Sequence, residues 1–506
     1  MASATLRSAR DAPARLWLWM TDRPRRALVV AIALACALRL PFVASPFGDD
    51  EGGYLYVAQH WPGPGHWLYG AQWVDRPPVL VLVFKLVALL GATPVAMRLV
   101  AMLLASVLVA SAWYVGRRIA GDAGAAAAAL CAAALVSNPV IYGSELISDQ
   151  IGATFVAASF AVLLAALGAG GRRTACGLAA LAGMLGMCAF LSKQSALLGL
   201  VMAAVVLLAR PRRNLLLVIV YAVGALLPLA VTLAWAASGP GIAMLVDATY
   251  TFRVDSVNVV SAAASDAPAQ RVWSFLLAAL ASGIVFPLLH LAWDVAGRRG
   301  QWRLRLAVVA AAATLFAVIF ASLNWYAYYL LAVVPLAAVG AAVAFVPGTR
   351  RWGRLLPRLV VAVTVVAAVV AVAVRLPADT ERPAVSRFVA AAARPNDSMI
   401  VLWGQPNLME DAGLHTPYPY SWSLPVRVED PHLTLFADTL AGRQAPTWLL
   451  EIGSIDDWGL ETPRVARILA ARYRVAGTVC GHRIFLRDDR TRALSAGRHA
   501  AAGAPC

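Results

Sequence analysis

Apolar runs of membrane-spanning length recur along the first three quarters of the chain. A helix that crosses a bilayer needs about 20 predominantly apolar residues, with a range of about 17 to 25. Runs near residues 27–45, 98–116, 123–141, 148–168, 175–191, 194–209, 214–237, 273–296, 306–322, 326–346 and 359–375 predict eleven spans. The first has no convincing small-residue cleavage site, and spans follow it repeatedly, so it is read as an anchor and not a signal peptide. Pro77 to Leu90 is also apolar but shorter, and it carries Lys85. Such a length fits a helix lying at the membrane face better than a crossing.

Beyond about residue 377 the pattern changes to that of a soluble domain, opened by a linker containing Pro377 and Pro383. Helix-like Ala384 to Ala393 precedes strand-like Met399 to Trp403, and strand-like Thr447 to Ile452 precedes helical Pro463 to Ala471. Tyr473 to Val479 and His482 to Leu486 read as a hairpin turning at Cys480-Gly481. The predicted architecture is a polytopic α-helical membrane protein of about 11 transmembrane helices with a small C-terminal α/β domain. The predicted division is 1–376 for the transmembrane part and 377–506 for the soluble part.

Composition supports this: 60% of the 506 residues are hydrophobic and 14% charged, against about 25% charged in soluble domains. Mean hydropathy is +0.70. The net charge of +16 lies in short arginine clusters between apolar runs, a pattern of topology that excludes a nucleic-acid partner. If each cluster is cytoplasmic, successive clusters must be separated by an even number of crossings. They are, provided Pro77 to Leu90 does not cross. The N-terminus is then cytoplasmic and the C-terminal domain outside. Of thirteen acidic residues before residue 376, nine fall on the outer side, so polar chemistry is expected there. Cys36, Cys131, Cys176 and Cys188 lie in apolar runs as small hydrophobes, while Cys480 and Cys506 could pair or stay unpaired in an oxidising compartment. No Cys/His spacing indicates structural zinc.

The first outer loop is the richest in functional groups. Leu55, Ala58 and Trp61 recur at helical spacing, predicting an amphipathic interfacial helix over about residues 51–61. Asp49, Asp50 and Glu51 open it, either as an acidic cap favoured by the helix dipole or as a carboxylate taking a proton from an acceptor hydroxyl. Glu145 and Asp149 form a second acidic site around the start of the fourth span, where Ser148 or Asp149 could equally cap the helix. Arg76, Lys85, Arg98 and Lys193 are cations at that same depth, where a charge needs a partner. A lipid phosphate suits them, although Lys85 is as easily explained by snorkelling to headgroups. Tyr328 and Tyr329 follow Asn324-Trp325-Tyr326 at the outer end of a span, where aromatic residues ordinarily form a belt. The loop from Ser238 to Arg271, with Asp247, Tyr250, Arg253 and Asp255, could cover a site or bind an acceptor.

Asp50-Glu51 with Tyr54, then Arg76-Pro77-Pro78 before an apolar stretch, Arg98-Leu99, Asp149, Leu191-Ser192-Lys193 and Tyr328-Tyr329 before Pro335 together resemble the protein O-mannosyltransferase-like membrane glycosyltransferases. This GT-C family 39 group includes the bacterial lipopolysaccharide core and lipid A aminoarabinose transferases. The resemblance runs over roughly residues 25–345 and rests on the order and spacing of short motifs. It implies transfer of a sugar from a polyprenyl-phosphate donor to an extracytoplasmic glycan, lipid or protein acceptor, usually with inversion. It further implies that Asp50 is the general base or acceptor-orienting group, that Asp149 supports substrate, and that Arg76, where the family commonly has lysine, and Lys193 bind phosphate. The extra Asp49 leaves two aspartates to consider for the base. Metal dependence varies among such enzymes, and Asp50 and Asp149 would be the residues to hold a divalent ion. The arginine- and alanine-heavy composition points to a bacterial cytoplasmic membrane.

The chemistry is coherent, since a phosphate leaving group needs cations where charge develops, and no Gly-rich nucleotide loop follows a strand. The alternative is a polytopic transporter of a lipid-linked or small polar substrate. Transporters place charges and broken helices near the midplane, often in repeated halves; here the charges gather at helix ends. A non-catalytic scaffold would leave the ordered motifs without a role. The whole reading supposes that Asp50, Asp149 and Lys193 serve one ligand.

Overall fold

The computed structural model describes residues 17, 19–61, 67–209, 211–262, 267–297, 302–321, 324–349, 351–378, 381–453, 460 and 462–492. The chain divides into two compact units. One contains 1–43, 98–231 and 266–371; the other contains 44–97, 232–265 and 372–506. The sequence division after residue 376 falls close to the last of these boundaries. The structure adds two earlier segments to the C-terminal part, because the first loop and the 232–265 region pack with it.

The first unit is helical, and every apolar run predicted within it contains helix. The pair 98–116 and 123–141 is continuous in hydrogen bonding as Pro94–Val136, but Ala120 and Gly121 are non-helical and Gly121 has φ 62°. Gly116 and Gly124 meet across that break with no room for a Cβ, so the chain doubles back into a helical hairpin. Its second arm is alanine-rich and buried from Ala125 to Ala129 and from Cys131 to Val136. Where lipid supplies no hydrophobic drive between helices, small side chains let neighbouring helices approach on every side. Ser148–Leu167 and Arg172–Ser192 follow as full-length helices. Run 273–296 is a pair of helices, Ala269–Ala281 and Val285–Ala296, bent by 81°. Run 326–346 is a 3₁₀ turn, Ala327–Val333, continuing as Val334–Val343.

Among the described residues five helices are long and apolar enough to cross a membrane, or six with the bent pair. The protein is a multi-pass membrane protein. Its outer helices show bands of exposed apolar side chains, such as Leu215, Ile219, Val223 and Leu226 on Pro211–Ser238, and Val366, Val369, Val370 and Val374 on Leu356–Ala378. Patches of this extent face a nonpolar surrounding.

In the second unit, Pro78–Leu89 is a 12-residue helix, about 18 Å long and well short of the hydrocarbon thickness of about 30 Å. Leu80, Val81, Phe84 and Val87 are buried, while Leu82, Leu86 and Leu89 are exposed. The helix thus has one buried face and one exposed apolar face. The C-terminal segment forms a four-stranded sheet in the order β1-β2-β4-β3, with β1 Met399–Leu402, β2 Trp448–Glu451, β3 Tyr473–Val479 and β4 His482–Arg487. β1 and β2 are parallel, with Met399 opposite Trp448, and the crossover between them is helical. β4 is antiparallel to both its neighbours. Trp448 is fully buried, and its indole donates to Asp397 at 3.1 Å, where Arg492 also pairs. Cys480 is disulfide-bonded; Cys506, for which a paired and an unpaired state were both open, lies outside the described residues.

Close helix crossing makes a testable demand. Gly183 on Arg172–Ser192 and Gly224 on Pro211–Ser238 each lie against the other helix's backbone, with no space for a Cβ. Gly183→Leu or Gly224→Leu should destabilise by about 1–3 kcal/mol through overpacking, seen as a lowered thermal midpoint in detergent. Gly177→Leu, on an open face of the same helix, should leave the midpoint unchanged.

Candidate active site

In the first unit, two helix ends bring opposite charges together. Asp149 sits in the first turn of Ser148–Leu167, and Lys193 is the C-cap of Arg172–Ser192. Lys193 Nζ lies 2.5 Å from Asp149 Oδ2, and the residues are 8% and 2% exposed. Each charge occupies the helix terminus whose dipole favours it. The N-cap of Ser148–Leu167 is Ile147, with no side-chain cap bond. The capping role weighed for Ser148 and Asp149 is therefore not taken, and the Asp149 carboxylate goes to Lys193.

Lys193 also stands over two aromatic faces, with Nζ 4.5 Å from the Tyr329 ring centre and 5.9 Å from that of Tyr328. Tyr328 meets Tyr142 edge-on and stacks on Tyr326. A crevice lined by Asp149, Gly152, Lys193 and Ala196 shares Val156 and Leu198 with a larger apolar one. The latter is an open crevice lined further by Ala112, Phe160, Met202 and Pro335. A buried ammonium beside an apolar crevice can receive an anionic head carrying a long hydrocarbon. Glu145 lies half-buried in the turn before Ile147. Arg98 is buried, its Nε 3.3 Å from the Phe42 carbonyl oxygen, so it anchors the end of the first helical segment.

In the second unit, the predicted helix over 51–61 is present as Asp49–His60. It is not the surface amphipathic helix expected: Glu51 to Ala58 are all buried. Gly52 and Gly53 explain this, since they bring its backbone against Asn407 on one side and Trp422 and Pro406 on the other. Glu51 reaches back so that the Gly48 N–H donates to its Oε2 at 2.9 Å, which makes it the capping carboxylate of the helix. Asp50 instead accepts from the Trp422 indole, Nε1 to Oδ1 at 3.0 Å. Asp49, beside it, is half-buried.

Arg76 is 8% exposed and pairs with Asp75 at 2.7 Å. Its guanidinium lies 5.9 Å from the Tyr54 ring centre. Asp75 also pairs with Arg253, from the helix Phe252–Ala262. The 238–271 region, left open in the sequence, thus contributes a second guanidinium beside Arg76. Lys85 is otherwise engaged: its ammonium donates to the carbonyls of Ala58 and Trp61 at 3.0 and 3.1 Å, capping the end of Asp49–His60. Among the described residues no three His, Cys, Asp or Glu side chains are grouped to hold a metal ion.

Sequence reasoning missed the strap at Thr416-Pro417-Tyr418-Pro419-Tyr420-Ser421-Trp422. The signal was an aromatic residue at every second position between prolines. Tyr418 donates to Asp430 at 2.9 Å, Tyr420 lies 5.6 Å from Trp73, and Trp422 lies 5.4 Å from Tyr54.

A family model described as dolichyl-phosphate-mannose-protein mannosyltransferase matches residues 75–237. No curated protein matches the sequence. Two structures of ArnT from Cupriavidus metallidurans are similar, one in the apo state and one bound to undecaprenyl phosphate, with TM-scores of 0.60 and 0.61 and identities of 16% and 17%. Each likeness covers 90% of this chain and 97% of that one. The oligosaccharyltransferase AglB from Archaeoglobus fulgidus, in complex with an inhibitory peptide and a dolichol-phosphate, has a TM-score of 0.50 and 14% identity, covering 86% of this chain and 70% of that one. The fold is the ArnT-like GT-C fold with a small C-terminal sheet.

Glu410 gives a pH test outside the membrane spans. Burial pushes its carboxyl up to about 7, with neighbouring Asp411 adding to the rise and a 2.6 Å bond from Gln59 opposing it. The folded state therefore holds this proton more tightly than the unfolded state between about pH 4.5 and 7, and stability falls as pH rises through that window. Glu410→Gln should flatten this slope and raise the thermal midpoint at pH 8 by about 2–4 °C, with little change at pH 4.5.

Proposed function

We propose that the protein is an integral-membrane glycosyltransferase that moves a sugar from a polyprenyl-phosphate donor to a hydroxyl acceptor on the extracytoplasmic side. The observation that carries this reading is the buried Lys193–Asp149 pair, roofed by Tyr328 and Tyr329 and adjoining an apolar crevice. A lipid phosphate has the matching two-part chemistry. The family match and the likeness to ArnT bound to undecaprenyl phosphate, and to AglB with a dolichol-phosphate, support the same donor class.

In the proposed reaction, Asp50 accepts the proton of the acceptor hydroxyl as that oxygen attacks the anomeric carbon. The bond from that carbon to the phosphate oxygen breaks, its electrons leave with the polyprenyl phosphate, and the anomeric centre inverts. The role proposed for Lys193 is to meet the negative charge that develops on the phosphate; the role proposed for Arg76 is to bind phosphate through paired N–H groups, where a lysine would offer a point charge. Asp149 pairs with Lys193 and holds it in place. Arg253, joined to Arg76 through Asp75, adds to the positive field. Glu51 supports Asp50 indirectly, by fixing the first turn of its helix. The acceptor is an extracytoplasmic glycan, lipid or protein, reached from the side that the arginine clusters leave outside.

Purified protein should consume a polyprenyl-phosphate sugar in the presence of acceptor lipid or glycan from the cell envelope, the product being read by mass spectrometry. Asp50→Asn should abolish turnover without lowering the thermal midpoint; full activity would remove Asp50 as the base. Lys193→Ala and Arg76→Ala should each weaken donor binding at least tenfold, about 1.4 kcal/mol or more. Unchanged donor affinity in both would remove them from the phosphate site. Movement of the lipid-linked substrate across vesicles without its consumption would favour the transporter.

A further inference from the structure

The carboxylate assigned as base does not act from its own helix alone. Within the second unit, Asp50 lies in the first turn of Asp49–His60, whose buried positions 52 and 53 are glycines without side chains. At Gly53 the ring of Trp422 occupies the place a Cβ would take, and at Gly52 the backbone and Cβ of Asn407 do the same. Trp422 is thereby packed against the helix at Gly53, its ring tilted at 5.4 Å from that of Tyr54. From this seat its Nε1–H reaches Asp50 Oδ1 at 3.0 Å. Asn407 secures the same turn from the other side, donating through Nδ2 to the Phe47 carbonyl at 3.2 Å.

We propose that Trp422 is a positioning residue for Asp50: its indole N–H fixes the plane and rotamer of the carboxylate that receives the acceptor proton. The inference rests on the glycosyl-transfer reading above and deepens it, giving the C-terminal segment a part in the chemistry. A carboxylate on a helix end rotates freely about χ1 and χ2 unless a neighbour holds it, and an indole is a donor that cannot compete for the proton, because it carries no basic lone pair. Only Asp50 of the three acidic residues at this helix start receives that donor in the described hydrogen bonds, which distinguishes it from Asp49 and from Glu51, engaged at Gly48. The motif Asp-Asp-Glu-Gly-Gly-Tyr therefore reads as a unit: the acids supply the base and the cap, the glycines admit Trp422, and Tyr54 backs its ring.

The test uses the full chain in detergent. Trp422→Phe keeps an aromatic ring at this position and removes the indole N–H; it should lower kcat about a hundredfold, the scale of loss for a misplaced reacting group, with donor KM within twofold in protein that remains folded at the assay temperature. A purely structural role would instead shift KM and kcat together. An independent arm reads the contact itself. In ¹⁵N-indole-labelled protein, the Trp422 signal, identified by its loss in Trp422→Phe, should move in Asp50→Ala and stay in place in Asp49→Ala. A signal indifferent to Asp50, or wild-type kcat in Trp422→Phe, overturns the inference while the glycosyltransferase reading stands. A wild-type protein inert towards the polyprenyl-phosphate sugar overturns that reading, and with it the catalytic role given to Trp422.

Discussion

An ammonium buried among apolar helices persists as a cation only where its surroundings replace the water it has lost. Lys193 meets that condition three times over: a carboxylate at 2.5 Å, the faces of Tyr328 and Tyr329, and the negative end of the helix it terminates. Asp149, opposite, has the positive end of its own helix. Neither residue could be buried without the other, so the packing of Ser148–Leu167 against Arg172–Ser192 and the electrostatics of the site form one constraint. The same arrangement keeps the surroundings of Lys193 favourable to positive charge through two aromatic rings and a helix dipole.

The membrane part was legible because its physics is one-dimensional. A backbone surrounded by hydrocarbon must satisfy its hydrogen bonds within the segment, so length and hydropathy alone locate helices, and those at 148–168 and 175–191 agree closely with Ser148–Leu167 and Arg172–Ser192. Apolar content does not report where a helix breaks. The 81° bend in the 273–296 run and the 3₁₀ start of 326–346 depend on packing against other helices, and hydropathy is blind to both. In the C-terminal segment the hairpin at Cys480-Gly481 and the helix before it were equally plain, since alternation and turn residues are local signals.

Site residues were legible by type and only in part by role. Asp149 and Lys193 stood out as charges in apolar surroundings, and their meeting follows from the high cost of leaving either unpaired. Lys85 stood out for the same reason, yet its partners are backbone carbonyls at the end of a neighbouring helix. A sequence names a side chain that needs a partner without naming the partner, and carbonyl groups are invisible in composition. Glu51 shows the converse: among three adjacent acids, the geometry of the helix start selects the third as the cap.

The least legible feature was the burial of Asp49–His60. Its spacing of Leu55, Ala58 and Trp61 describes one apolar stripe, but Tyr54, Tyr56 and Val57 are buried as well. Two adjacent glycines ordinarily argue against a stable helix, because each costs up to about 1 kcal/mol relative to alanine. Their presence makes sense only when something must come closer than a Cβ allows, and here that something is Trp422 and Asn407, more than 350 residues away in the sequence. The helix gives up intrinsic propensity and recovers it as tertiary contact, so its first turn is ordered by the C-terminal segment more than by its own residues. A carboxylate on such a turn is held rigidly or loosely according to that contact. It follows that the indole hydrogen bond to Asp50 is a property of the folded second unit, and that the local acidic motif alone, transplanted onto a solvent-exposed helix, would retain the charge and lose that contact.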